Sequence, residues 1–336
     1  MPISRKIMGV KRGVTFTGAL SGTSTIATGS NPLCICISTN GASVYAANQS
    51  SNTVSIFSRN TSTGALSGTS TIATGTTPQG ICISADGANV YAVNRSSNTV
   101  SIFTRNTSTG ALSGTSTIAT GSNPQWICIS ADGANVYAVN RSSNTVSIFT
   151  RNTSTGALSG TSTIATGSNP LCICISADGA SVYTANNSSS TVSIFTRNTS
   201  TGALSGTSTI ATGTGPFSIC ISADGASVYT ANYTSSTVSI FTRNTSTGAL
   251  SGTSTIATGS NPQGICISAD GISVYAVNQM SDTVSIFTRN TSTGALSGTS
   301  TIATGSNPFD VCISADNSNV YATNQSSITA SIFTRS

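Results

Sequence analysis

The chain has 336 residues, 37% of them hydrophobic and only 6% charged, with a formal net charge of +5. Four of its thirteen basic residues (Arg5, Lys6, Lys11 and Arg12) sit in the first 17, so the remainder carries nine basic groups against eight aspartates. A body so close to neutral excludes nucleic-acid binding by that body, which needs a basic stripe against the phosphates, and no apolar run approaches the ~20 residues of a membrane span.

Residues 1–17 read as a solvated basic tail with no apolar segment of the signal-peptide kind. The first strand is expected over Gly22–Gly29, and from there the chain repeats itself. Ala19, Ala65, Ala111, Ala157, Ala203, Ala249 and Ala295 are each 46 residues apart, a period that signals a solenoid, propeller or array. Helical periodicity is absent, while short β-branched runs alternate with Gly, Asn, Asp and Ser. In the second unit the reading gives strands over Gly68–Gly75, Gly80–Ser84, Asn89–Asn94 and Thr99–Arg105. Asp86-Gly87 supplies the left-handed backbone that a tight turn between the middle two requires.

Four strands per ~45 residues make one propeller blade. The expected fold is therefore all-β: a seven-bladed propeller over residues 18–336, four antiparallel strands per blade. Because the last repeat ends at the strand Ala330–Arg335, the N-terminal strand completes the final blade and closes the ring.

Nine cysteines are present. Seven of them (among them Cys36, Cys82 and Cys312) hold one position in an apolar strand, where a thiol acts as a small hydrophobe. Cys34 and Cys172 lie two residues upstream of that position. A Cys-x-Cys pair on one strand face makes a poor disulfide, and without histidine a poor zinc site, so free thiols, no metal and no cofactor are expected.

The string Ser84-Ala85-Asp86-Gly87, then Val90-Tyr91 and Asn94, then Ser97 through Phe103, resembles the YVTN / lactonase-like seven-bladed propellers, and the likeness recurs in all seven units. The resemblance implies the propeller fold and a spread of roles: hydrolysis of 6-phosphogluconolactone, cycloisomerisation, or surface and periplasmic functions. It also implies that an enzyme of this group works with charged residues around the central channel. This chain has no histidine and no glutamate, so no catalytic residue carries across.

Comparison among the seven copies locates the candidate site. TRNTSTGALSGTSTIATG is invariant in every full copy apart from Ser58, whereas variation gathers at two places. One follows the proline that enters the inner strand, with Gln125-Trp126, Phe217-Ser218 and Phe309-Asp310 as examples. The other is the loop after the tyrosine strand, which carries Arg95, Arg141 and Tyr233, with Asp282 and Ile328 nearby. Both places fall at one end of an antiparallel blade, around the channel mouth, and a constant scaffold with one varied face is how repeat proteins present a binding surface. The opposite-end loop Asn-Thr-Ser-Thr-Gly is also exposed by this reading and has not drifted. Trp126, Tyr233, Phe217, Phe309, Arg95, Arg141, Asp310 and Gln125 are the candidate ligand residues; aromatic platforms with planar amides suit sugars.

Three readings follow. The first is a non-catalytic propeller that binds a small polar ligand, such as a carbohydrate, or a protein partner at the mouth. The second is a lactonase-like hydrolase with Asp310 as base and Arg95 and Arg141 orienting an anionic substrate. The third is a structural or surface scaffold, recently amplified or engineered, without a ligand. Unpaired thiols favour the cytoplasm, and the charge-poor Ser/Thr/Asn surface favours export.

Overall fold

The computed structural model describes residues 17–336, so the basic tail expected over residues 1–17 lies outside it but for Thr17. Twenty-eight strands, β1–β28 in chain order, form seven separate four-stranded antiparallel sheets. Blade 1 is β2 (Pro32–Ile37), β3 (Ser43–Asn48), β4 (Thr53–Arg59) and β5 (Leu66–Ala73), running from the channel outward. Blades 2 to 6 repeat it at the 46-residue period. Blade 7 takes β26 (Pro308–Ile313), β27 (Asn319–Asn324) and β28 (Thr329–Arg335) and is completed by β1 (Leu20–Ala27), as expected of a ring closed by its own ends.

Two strand starts differ from the sequence reading, and the same two strands end one or two residues early. The inner strand begins at its proline (Pro78 in blade 2), since the first residue of an edge needs no N–H for the ladder. The outer strand begins two residues early, at Leu66, because Gly68 at φ 69° sits inside a bulge instead of starting the strand.

Burial follows the repeat. Each tyrosine strand is buried along its whole length, while each outer strand shows water all but a leucine and an isoleucine. The core is seven similar clusters, each lying between two blades and not within one: Tyr91, Val93 and Val100 of blade 2 pack on Ile127, Val136 and Phe149 of blade 3. A blade thus has no core of its own and folds as part of the ring.

The arginine that ends each third strand ties these interfaces together. Arg151 of blade 3 reaches into blade 2, where Nε donates to Tyr91 Oη at 2.7 Å and Nη2 donates to Asn89 Oδ1 at 2.6 Å and Asp86 Oδ2 at 2.8 Å. Tyr91 in turn donates to Gly156 O of blade 3. Six such Arg–Asp pairs circle the ring, and Arg105 lacks a carboxylate because blade 1 has Asn40 at that position. The arginine side chains are no more than 1% exposed and the aspartates 27–44%. These pairs form a ring, but its weight rests on the buried guanidinium and its neutral acceptors rather than on the half-wet carboxylate. Hydrogen bonds from Ser84 and Ala88, with Arg151, hold the Asp86 carboxyl below its usual range against the opposing effect of burial, and the other turn aspartates behave alike. Their contribution is present above the ordinary carboxylate range and fades as pH falls through the lowered folded value.

Two urea-denaturation comparisons follow. Arg151→Met is expected to cost about 2–4 kcal/mol, because buried acceptors lose a charged donor, whereas Asp86→Asn should cost about 1 kcal/mol or less. Asn40→Asp, which offers Arg105 the missing carboxylate, should add about 0.5 kcal/mol above pH 5 and nothing near pH 2.

Candidate functional site

At one end of the ring the inner strands and the tyrosine-strand loops enclose a cavity of about 390 Å³. The loops are set by residues in the left-handed region, such as Asn52 at φ 53°, whose side chain also accepts the N–H of Thr77 in the next blade at 2.7 Å. Six loops make this blade-to-blade cap, through Asn, Ser or Asp. The seventh has Ile328 at φ 56°, a β-branched residue in a strained conformation with no oxygen to offer Asn31.

The mouth is polar on one side and aromatic on the other. Blades 2 and 3 supply Arg95 and Arg141, whose Nε atoms donate to Asn123 Oδ1 (2.9 Å) and Asn169 Oδ1 (2.5 Å). Gln125 Nε2 donates to the same Asn123 oxygen at 2.6 Å. Neither arginine forms an ion pair among the described residues, so their remaining guanidinium edges carry uncompensated charge. On the far side Phe217 meets Phe309 edge-on at 5.4 Å and Tyr233 at 6.2 Å, an aromatic group drawn from blades 5 and 7. Further amides line the cavity, and two of them, Gln79 and Gln263, stand out by their packing. Gln79 (6% exposed) and Gln263 (3% exposed) are buried, and Gln79 Nε2 and Gln263 Oε1 have no protein partner. Only packing reveals this, since glutamine at this position resembles that in Gln125, which is satisfied.

The structure thus brings Arg95, Arg141, Gln125, Phe217, Tyr233 and Phe309 together on one cavity and sets Trp126 and Asp310 one residue deeper in the channel. Trp126 packs against the clusters that hold Cys34 and Ile81, Ile173 and Val182, and Cys172 and Ile219, so its indole reaches across toward several blades. Glycine makes room for each unusual residue at this level. A Cβ on Gly80 would come within 2.8 Å of Trp126 Cα, and one on Gly264 within 2.7 Å of Asp310 Cα.

Asp310 is 5% exposed. Burial pushes its carboxyl up to about 6, although Oδ2 accepts the Ile35 N–H at 3.0 Å and the Cys34 thiol and Val311 N–H also favour the anion. All nine cysteines are free thiols, and those around Asp310 are held well above the ordinary thiol range by burial. No group of three metal-binding side chains occurs among the described residues.

The opposite end of the channel opens more widely, over about 1170 Å³. Its wall is built from the repeated Ile83-type residues and the Ser-Ala-Asp turns, whose polar atoms are already engaged by one another and by the arginine ties. Size therefore does not pick out the site; the residues that vary between blades and the two unpartnered glutamine atoms among them mark the mouth.

Comparison with known proteins agrees with the fold. The family model for the seven-bladed lactonase β-propeller matches in overlapping segments from residue 15 to residue 336. The chain belongs to that family. A comparison with curated proteins finds no match. Among solved structures, this lactonase-family propeller is similar to a Bacteroides fragilis protein provisionally named a 6-phosphogluconolactonase (24% identity, TM-score 0.76, covering 84% of this chain and 86% of that one). It is similar also to the periplasmic gluconolactonase of Pseudomonas aeruginosa (19% identity, TM-score 0.75, 85% and 88% covered). Hydrazine synthase of Kuenenia stuttgartiensis matches nearly as well (20% identity, TM-score 0.72, 90% and 95% covered), so the shared fold leaves the chemistry open.

Gly264→Ala is expected to lower stability by about 1–3 kcal/mol in thermal or urea unfolding, as overpacking against Asp310 does. Asp310→Asn should have the opposite effect near neutrality. The carboxyl binds its proton more tightly folded than unfolded, so the stability it contributes is complete below about pH 4 and is lost as pH rises through about 6. At pH 7.5 the Asn variant should therefore exceed the parent by up to ~3 kcal/mol, with the gain gone at pH 4.

Proposed function

We propose that this propeller binds a small polyhydroxylated ligand with an acidic group, a sugar acid or the lactone derived from it, in the mouth cavity. The observation that carries the reading is the set of polar groups left unanswered there: the Gln79 donor, the Gln263 acceptor and two arginines without a carboxylate. Buried polar atoms in folded proteins nearly always have partners, so the two glutamine atoms beside two half-exposed arginines that form no ion pair favour a polar, anionic occupant. A cavity of about 390 Å³ suits a monosaccharide-sized molecule. The aromatic group at Phe217 and Phe309 offers an apolar wall for the C–H face of such a ring, while the arginines take its anionic end.

Hydrolysis is the second reading, supported by family membership and by the raised Asp310 carboxyl, which lies in the range useful to a general base at neutral pH. Against it stands the position of Asp310, one residue beneath the cavity and engaged with Ile35. Binding without turnover is the reading preferred here.

Calorimetric titration with gluconate, gluconolactone and glucose tests both. Gluconate is expected to bind more tightly than glucose, and the double variant Arg95→Gln/Arg141→Gln to weaken gluconate at least tenfold while leaving glucose almost unchanged. Equal affinities for gluconate and glucose would overturn the anionic site. Release of acid from gluconolactone above the spontaneous rate, abolished by Asp310→Asn, would move the assignment to a hydrolase.

A further inference from the structure

The seam between blade 7 and blade 1, which lies beside the β1–β28 pairing that closes the ring, differs from the other six. On the mouth face it lacks the loop cap, because Ile328 replaces the usual Asn, Ser or Asp. On the two innermost strands of blade 7 it carries two polar residues that no other blade has at those positions. Asp310 stands where other blades have Cys, Gly, Trp or Ser, and Thr323 stands where they have only Ala or Val. Both reach across the seam to the same stretch of β2. Asp310 Oδ2 accepts the Ile35 N–H at 3.0 Å, and the Thr323 hydroxyl donates to Leu33 O while accepting the Asp310 N–H at 3.2 Å. These contacts join both ends of the ring through a single short network of Asp310, Thr323, Leu33 and Ile35.

We propose that Asp310 and Thr323 are positioning residues that form a proton-sensitive stitch across the closing seam, holding the Leu33 side of the mouth against the Phe309 side. The titratable groups that face Asp310 are thiols: Cys34 and Cys36 of β2, Cys312 of β26, and Cys266 and Cys172 of the inner strands of blades 6 and 4. Burial keeps every one of these thiols protonated across the neutral range, which leaves Asp310 as the group that changes charge between pH 4 and 8.

The direction follows from linkage. Closed, the seam buries the carboxyl and raises its proton affinity; opened, it returns the carboxyl to water and to its ordinary value. Protonation therefore favours the closed seam and ionisation the open one, by up to about a hundredfold in the opening equilibrium. Thr323 carries no charge and acts through geometry alone, pinning Leu33 at either protonation state. Leu33 and Phe309 line the mouth on the two sides of this seam, so loosening above about pH 6 widens the mouth and speeds exchange of its occupant. This last consequence rests on the ligand reading above, and the stitch itself does not.

Amide hydrogen exchange at Ile35 in the full chain, followed from pH 4 to 8, tests the stitch without any ligand. The expected result is an excess acceleration, over the ordinary base-catalysed rise, centred near pH 6. Asp310→Asn should abolish that excess, and Thr323→Val should raise exchange at every pH while keeping the midpoint. Trp126, which packs on the cluster containing Cys34, gives a second readout: its emission should titrate with the same midpoint in the parent and in Thr323→Val and stay flat in Asp310→Asn. Exchange at Ile35 and Trp126 emission without any step near pH 6, or a step that survives in Asp310→Asn, would overturn the proposal. Gluconate dissociation that fails to speed up above pH 6 while both seam readouts titrate would count against the ligand reading and leave the stitch standing.

Discussion

A guanidinium with almost no access to water joins each blade to the next. Arg151 and its equivalents place one charge where four neutral oxygens or half-exposed carboxylates of two blades converge, and the tyrosine that receives it passes a hydrogen bond back across the same interface. The apolar clusters also lie between blades, so cohesion in this protein is an interfacial property repeated seven times. A chain with 6% charged residues spends seven of its thirteen cations on that single geometry. The outer strands, hydroxyl-rich and nearly all exposed, contribute little beyond pairing.

Against this constant frame the mouth is free to vary. The arginine ties and the turns before the tyrosine strands occupy one end of every blade, and a substitution in the ties disturbs two blades at once. The other end is held by backbone hydrogen bonds, by a repeated Asn–Thr–Ser network such as Asn48, Thr53 and Ser55, and by a loop cap that Asn, Ser and Asp all satisfy. That asymmetry explains why the narrower cavity carries the unsatisfied polar groups while the wider opening is self-contained.

The 46-residue period, the Asp-Gly turns and the unpaired first strand made the seven blades and their closure readable from sequence, because each rests on a local rule of turn or edge chemistry. The mouth was readable as a location: six of the eight residues picked from copy-to-copy differences line one cavity. Depth was not. Trp126 and Asp310 follow Gln125 and Phe309 directly in sequence, yet a strand turns successive side chains to opposite faces, and whether the second of the pair meets the cavity or the channel depends on the neighbouring blade. The roles of Gln79 and Gln263 were hidden for the same reason, since nothing in their own repeats says whether a partner is near. Thr323 escaped notice because one hydroxyl in place of a methyl is a small change on a strand otherwise like its fellows.

The closing strand reads Leu-Ser-Gly-Thr-Ser-Thr-Ile-Ala, letter for letter the outer strand of every other blade. A gene built from such copies invites unequal recombination, and a chain that lost or gained one unit would still present a strand fitting the last blade. Nothing at the rim counts to seven. On the axis, the indole of Trp126 touches clusters from blades 1 through 5. It is therefore a side chain whose packing depends on how many blades surround the channel.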